Sequence, residues 1–128
     1  MKIGIVGSGG VAKTLGTGFA KHGHEVMLGT RDPAKLAEWT SQNPGSQVGS
    51  FAAAARFGEV VVLAVKGTAA ANALRAAGVP NVAGKTVIDV TNPISDAPPV
   101  HGVLTYFTTL DDSLMERLQR DFPAVLFV

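Results

Sequence analysis

Lys2-Ile3-Gly4-Ile5-Val6-Gly7-Ser8-Gly9-Gly10-Val11-Ala12 is the stretch whose reading decides the fold. A short apolar run rich in β-branched residues reads as a strand, the glycines as a turn, and the residues from Val11 as the start of a helix. The spacing Gly7-x-Gly9-x-x-Ala12 is a dinucleotide fingerprint with alanine in its third place. Gly7 permits the tight turn off the strand. Gly9 has no Cβ, so a pyrophosphate can approach the backbone. Ala12 is small enough for helix and strand to touch. The helix start offers free N–H groups and a partial positive charge to the phosphates. Gly7, Ser8, Gly9, Gly10, Val11 and Ala12 are therefore the first candidate cofactor-binding residues. The bland alternative is a glycine turn without a ligand. The apolar strand before it, and a helix bearing Leu15, Phe19 and Ala20 after it, favour the ligand.

Outward from this stretch the same alternation continues. Apolar runs at Lys2–Val6, Glu25–Leu28, Gln47–Val48, Val60–Val65, Thr86–Val90 and Ala124–Val128 predict strands. Val11–Lys21, Ala34–Ser41, Phe51–Phe57, Ala69–Ala76 and Leu114–Arg120 predict helices between them. Strand and helix in alternation imply an α/β fold: a Rossmann-type, doubly wound parallel sheet of about six strands in a three-layer α/β/α arrangement. Val60–Val65 is apolar throughout, as a central strand covered on both faces must be. With 128 residues the chain is one domain spanning 1–128. Its 18 Ala and 15 Gly suit helices lying close on a sheet. Asp32-Pro33 predicts an N-cap and first-turn proline, and Ser113-x-x-Glu116 a capping box. Gly23, Gly58 and Gly78 each follow a helical run, where a left-handed residue is wanted. Pro93 to about Thr109 has no clear period.

Composition excludes several classes. Lys+Arg 11 against Asp+Glu 10 leave a net charge of +1, which gives no pull toward nucleic acid or a membrane surface. The absence of cysteine removes disulfide, thiol and Cys-zinc chemistry and is compatible with a cytoplasmic setting. No apolar run reaches the roughly 18 residues of a spanning helix. His22 and His24 lack an evident third ligand, so no metal site is expected. There is no P-loop and no serine nucleophile elbow.

The second strand sharpens the cofactor. An NAD site places Asp or Glu at its end, on the ribose 2′-hydroxyl. Here Val26-Met27-Leu28 runs into Gly29-Thr30-Arg31-Asp32-Pro33-Ala34-Lys35, so a hydroxyl, a guanidinium and an ammonium stand where a carboxylate would. Thr30, Arg31 and Lys35 suit a 2′-phosphate, and arginine favours bidentate contact with it. One charge-assisted hydrogen bond, at roughly 1.5–3 kcal/mol, favours NADP over NAD by about 10- to 100-fold.

Ligands of open parallel sheets sit beyond the carboxyl ends of the strands. That adds Ala64, Val65 and Lys66 after the fourth strand and Thr91, Asn92 and Pro93 after the fifth. Asp89 reads as a structural carboxylate and Trp39 as core. His101, in the long segment, is a better catalytic candidate than His22 or His24.

Lys2–Ala12, Gly23–Pro33 and Val87-Ile88-Asp89-Val90-Thr91-Asn92-Pro93 together resemble the NADPH-dependent deazaflavin-coenzyme reductases, the F(420)-dependent NADP oxidoreductases. Thr30-Arg31 and Asn92-Pro93 are the more specific parts of the resemblance. It implies a Rossmann domain binding NADP(H), with hydride exchanged between nicotinamide and the deazaflavin coenzyme F(420) or another small-molecule redox acceptor. It also implies that Gly7–Ala12 hold the pyrophosphate, that Thr30, Arg31 and Lys35 hold the 2′-phosphate, and that the ends of the fourth and fifth strands lie beside the nicotinamide. Family members continue with a segment that helps form the deazaflavin site and a homodimer, so a chain ending at Val128 is expected to lack it. Direct hydride transfer needs position and exclusion of water more than an acid or base, so no catalytic residue is singled out. The Pro93–Thr109 segment is expected to cover the nicotinamide or help form the acceptor site. Two other readings stay open: a nucleotide-sensing module without chemistry, and the cofactor domain of another NADP-dependent reductase acting on an imine or hydroxyacid.

Overall fold

The apolar runs form strands β1 (Lys2–Val6), β2 (Glu25–Gly29), β3 (Gln47–Gly49), β4 (Val60–Leu63), β5 (Thr86–Asp89) and β6 (Leu126–Phe127) in a computed structural model that describes residues 1–128. They pair in the order β3-β2-β1-β4-β5-β6, every pair parallel. The order reverses between β1 and β4, in the middle of the sheet. The expected Rossmann-type α/β fold is the fold observed.

Alternation along the strands divides the core into two layers. Ile3, Ile5, Val26, Leu28 and Val62 face one way, against Ala12 of α1 (Gly10–Lys21) and Trp39 of α2 (Ala37–Gln42). Val6, Val61, Leu63 and Val87 face the other way. There they meet Ala55 of α3 (Phe51–Phe57), Leu74 of α4 (Ala70–Ala77), Val82 of α5 (Val79–Val82) and Leu118 of α6 (Leu114–Asp121). The Ala- and Gly-rich composition acts where expected. A Cβ on Gly4 would stand 2.0 Å from the Ala54 carbonyl oxygen, so α3 rests directly on β1 only because Gly4 has none.

Several boundaries differ from the sequence reading. The fourth strand ends at Leu63, because beyond it only single bonds hold the chain to its neighbours, such as Ala64 N–H donating to Val6 O at 2.9 Å. The second helix opens as a 3-10 turn, Pro33–Leu36, capped by the Asp32 carboxylate on Ala34 N–H at 3.2 Å. Gly23 and Gly78 adopt the expected positive φ, 84° and 86°, but Gly58 does not. Its φ is −72°, and glycine is needed there because a Cβ would lie 2.6 Å from Gly4 N. The segment after Pro93 is a narrow hairpin. Ser95 N–H donates to Thr105 O at 2.8 Å and Phe107 N–H to Pro93 O at 2.9 Å, with Val100 and Val103 bonded across its tip. No helix is long and apolar enough to cross a membrane.

Candidate functional site

An open cleft of about 1060 Å³ lies at the carboxyl ends of the central strands, where the strand order reverses. Its rim begins at the glycine turn. Gly7 has φ 145°, a conformation L side chains rarely adopt, and a Cβ there would stand 2.1 Å from the Ala64 carbonyl oxygen. Gly7 N–H donates to Gly29 O at 3.2 Å, which joins the turn to the end of β2. At Gly9 the situation is opposite: a Cβ would meet nothing within 4 Å. The space before Gly9 is therefore free for a ligand, and a side chain there would project into it. The first-turn N–H groups of α1 have no intrahelical partners, and no side chain caps them at the Gly9 N-cap. A backbone bare of Cβ, facing an open cleft at a helix start, fits a pyrophosphate.

The turn after β2 forms the next part of the rim. Thr30 is 5% exposed, and Arg31 and Lys35 are exposed at the cleft edge. The Thr30 hydroxyl lies 3.2 Å from Ser8 Oγ and 3.1 Å from the Asp32 carbonyl oxygen, and it accepts from Asp32 N–H at 3.0 Å. Asp32 also lines the cleft, but its carboxylate accepts from Ala34 N–H as a helix cap. Neither Arg31 nor Lys35 is in an ion pair with it.

Ala64, Val65 and Lys66 line the cleft beyond β4, and Asn92 beyond β5. The two strand ends touch: a Cβ on Gly67 would be 2.1 Å from the Asn92 carbonyl oxygen. Three expected residues stand outside the lining. Ala12 is fully buried behind the glycine turn, in the role its small size predicts. Thr91 turns its hydroxyl to Asp89 Oδ1 at 2.7 Å, and its N–H donates to the same oxygen at 2.9 Å, so Asp89 is a structural carboxylate. Pro93 anchors the hairpin through its carbonyl. His101 sits at the exposed hairpin tip with φ 49°, away from the cleft lining. Trp39 is core, its Nε1–H donating to Lys13 O at 3.1 Å and Thr17 Oγ1 at 3.0 Å.

Sequence reasoning missed one wall. Ala69, Asn72, Ala73 and Ala76 face the cleft from the 3-10 turn Gly67–Ala69 and from α4. Their spacing of three, four and seven residues is one helical stripe, a signal present in the sequence. Ile94, Ser95 and Asp96 enter from the first arm of the hairpin, which no local period announces.

The comparisons bear on family and fold. The profile of the family described as NADP oxidoreductase, coenzyme F(420)-dependent, matches residues 2–93. A candidate F(420)-dependent NADP-reductase from Arthrobacter sp. FB24 superposes with a TM-score of 0.91 at 38% identity, over 99% of this chain and 60% of that one. A reductive aminase from Aspergillus terreus, solved in complex with NADPH and ethyl-5-oxohexanoate, gives 0.59 at 30% identity over 71% of this chain and 31% of its own. An imine reductase from Streptomyces aurantiacus gives 0.62 at 18% identity over 71% and 32%, a likeness of fold alone. No curated sequence matches. The chain thus spans about 60% of the Arthrobacter protein's length. By its profile match over residues 2–93, the chain belongs to the family of coenzyme F(420)-dependent NADP oxidoreductases.

Proposed function

We propose that this domain holds NADP(H) in the cleft and serves hydride exchange between the nicotinamide and a deazaflavin or flavin-like acceptor, a small molecule brought to the β4–β5 end. The observation that carries the cofactor choice is the turn after β2. Arg31 and Lys35 stand at the cleft edge, neither of them in an ion pair, and the carboxylate between them, Asp32, is turned to the Ala34 N–H as a cap. A 2′-phosphate is attracted there, and a bare ribose gains little. Gly7 to Val11 receive the pyrophosphate on backbone N–H groups. Ala64 and Val65 offer an apolar surface, and Asn92 a polar edge, for the nicotinamide end. The bound dinucleotide supplies the hydride chemistry. The chain's own side chains bind, orient and exclude water.

The test is a fluorescence titration of NADPH and NADH against the wild-type domain and Arg31→Ala at fixed low salt. NADPH is expected to bind at least about tenfold tighter, and Arg31→Ala to erase the difference. Equal affinity in the wild type sinks the 2′-phosphate reading. The acceptor is tested by offering F(420), a flavin and a cyclic imine to NADPH in the presence of the protein. The imine arm is included because the Aspergillus terreus reductive aminase, 30% identical over the shared region, was solved with NADPH. Oxidation of NADPH by the imine and not by F(420) would replace the deazaflavin reading with a reductive amination one.

A further inference from the structure

The Thr30 hydroxyl is the one buried polar group that touches both phosphate-facing segments. It lies beneath the cleft, 5% exposed, between Ser8 of the glycine turn and the backbone of Asp32 in the Arg31 turn. Its contacts restrict its proton. One lone pair accepts from Asp32 N–H at 3.0 Å. The single hydroxyl proton then has two destinations, Ser8 Oγ at 3.2 Å or the Asp32 carbonyl at 3.1 Å.

The two arrangements present different surfaces to a ligand. If the proton goes to Asp32 O, the half-buried Ser8 hydroxyl can satisfy itself by donating back to Thr30, and it then shows the cleft only lone pairs, which repel an anion. If the proton goes to Ser8, one acceptor lobe of Ser8 is filled from below and its own proton is left to point into the cleft. The chain then runs in one direction, from Asp32 N–H through Thr30 O–H and Ser8 O–H to the ligand, each bond polarising the next. An anion selects this second arrangement.

We propose that Thr30 is a positioning residue acting through Ser8: its hydroxyl turns the Ser8 proton toward a ligand phosphate and so joins the glycine turn and the Arg31 turn into one preformed anion cradle. The inference rests on the NADP(H) reading of the cleft and goes beyond it by assigning Thr30 an indirect role, where a free side chain would contact the phosphate itself. Gly7 N–H on Gly29 O is the second tie between the same two segments, so the cradle is held by backbone and side chain together.

A double-mutant cycle separates the indirect role from direct contact. NADPH and NADH are titrated against the wild type, Thr30→Val, Thr30→Ser, Ser8→Ala and the Ser8→Ala/Thr30→Val double variant, after the melting temperature of each has been read. Thr30→Val and Ser8→Ala are each expected to weaken NADPH about five- to tenfold. The double variant should be no weaker than the worse single one, because both changes end the same contact, that of the Ser8 proton with the phosphate. Thr30→Ser keeps the hydroxyl and is expected within about twofold of wild type. If Thr30→Val unfolds, Thr30→Ala takes its place in the cycle. Loss confined to NADPH identifies the phosphate as the 2′ one, and parallel loss of NADH identifies the pyrophosphate. Additive losses, or a Thr30→Ser variant as weak as Thr30→Val, overturn the relay while the wild-type preference for NADPH still stands. Equal wild-type affinity for the two dinucleotides overturns the NADP reading alone, and no binding of either overturns both.

Discussion

The Lys85 ammonium donates to the carbonyl of Gly58 at 2.7 Å, tying the chain just before β5 to the residue where α3 ends. The same Nζ reaches Ala55 O at 2.8 Å and Arg56 O at 3.4 Å. These are last-turn carbonyls that lack helical partners, and a cation there also meets the negative end of the helix dipole. Since α3 rests on β1 at Gly4, this contact bears on the packing of α3 against the sheet.

Lys85→Met is expected to lower stability by about 1.5 kcal/mol, the low end for a charge-assisted bond because the ammonium is partly exposed. Urea unfolding measures it. NADPH affinity of the folded variant should stay within about twofold of wild type, since Lys85 lies outside the cleft lining. A variant as stable as wild type would mean that water caps α3 equally well.

Gly7 and Gly9 should fail in different ways when a methyl group is added. Gly7→Ala forces a side chain onto φ 145° and into the Ala64 carbonyl, so both folding and binding suffer, by more than about 2 kcal/mol in stability. Gly9→Ala meets open space, so its melting temperature should hold within a few degrees while NADPH affinity drops tenfold or more. Thermal melts paired with titrations check both. Unimpaired binding by Gly9→Ala would remove the phosphate from this turn.

How much of this was legible in the sequence depends on how local the cause was. The strand-turn-helix at Gly7–Ala12, the Asp32 and Ser113 caps and the central strand in Val60–Val65 each announce themselves within a few residues, although that strand ends at Leu63. Gly58 was misread because its glycine is needed for contact with Gly4, across the sheet layer, which no neighbouring residue reveals. The hairpin after Pro93 is paired only with itself, through residues that do not alternate, so no period marks it. Asn72 and Asp96 reach the cleft only because the sheet order places α4 and the hairpin around the same cleft that the β1 and β2 turns open.

Acid should loosen the α6 end of the domain first. Asp112 accepts from Arg120 at 2.7 Å and from Arg117 at 2.9 Å, and those guanidinium groups, Arg120 foremost, hold its carboxyl below its ordinary value of 3.8. The Ser113 backbone N–H does the same for Glu116, whose ordinary value is 4.5. A carboxylate with a depressed folded value contributes fully above its unfolded value and loses that contribution as pH falls through the folded one. The urea midpoint should therefore be flat above about pH 5 with respect to these two groups and fall as pH drops below 4.5. Asp112→Asn should lower the midpoint at pH 6 and flatten its acid dependence. An unchanged slope in Asp112→Asn would assign the acid sensitivity to other carboxylates.

The hairpin separates a residue that lines the cleft from one that shapes a turn. Its tip, Val100 to Val103, is closed by two backbone bonds of 3.0 and 2.9 Å, with His101 at φ 49° and Gly102 at φ 77°. Two successive positive φ values define a type I′ turn, in which asparagine serves as well as any residue other than glycine. His101→Asn should therefore preserve the hairpin and remove only the imidazole. Dinucleotide affinity, and NADPH oxidation by whichever acceptor proves active, are expected to stay within about twofold. Asp96, in contrast, lines the cleft at the β5 end. Asp96→Ala is expected to alter acceptor KM by fivefold or more while leaving NADPH affinity near wild type, because the phosphates are held at the opposite rim. A tenfold fall in turnover for His101→Asn with no change for Asp96→Ala would reverse the assignment and make the hairpin tip, not its first arm, the part that meets the acceptor.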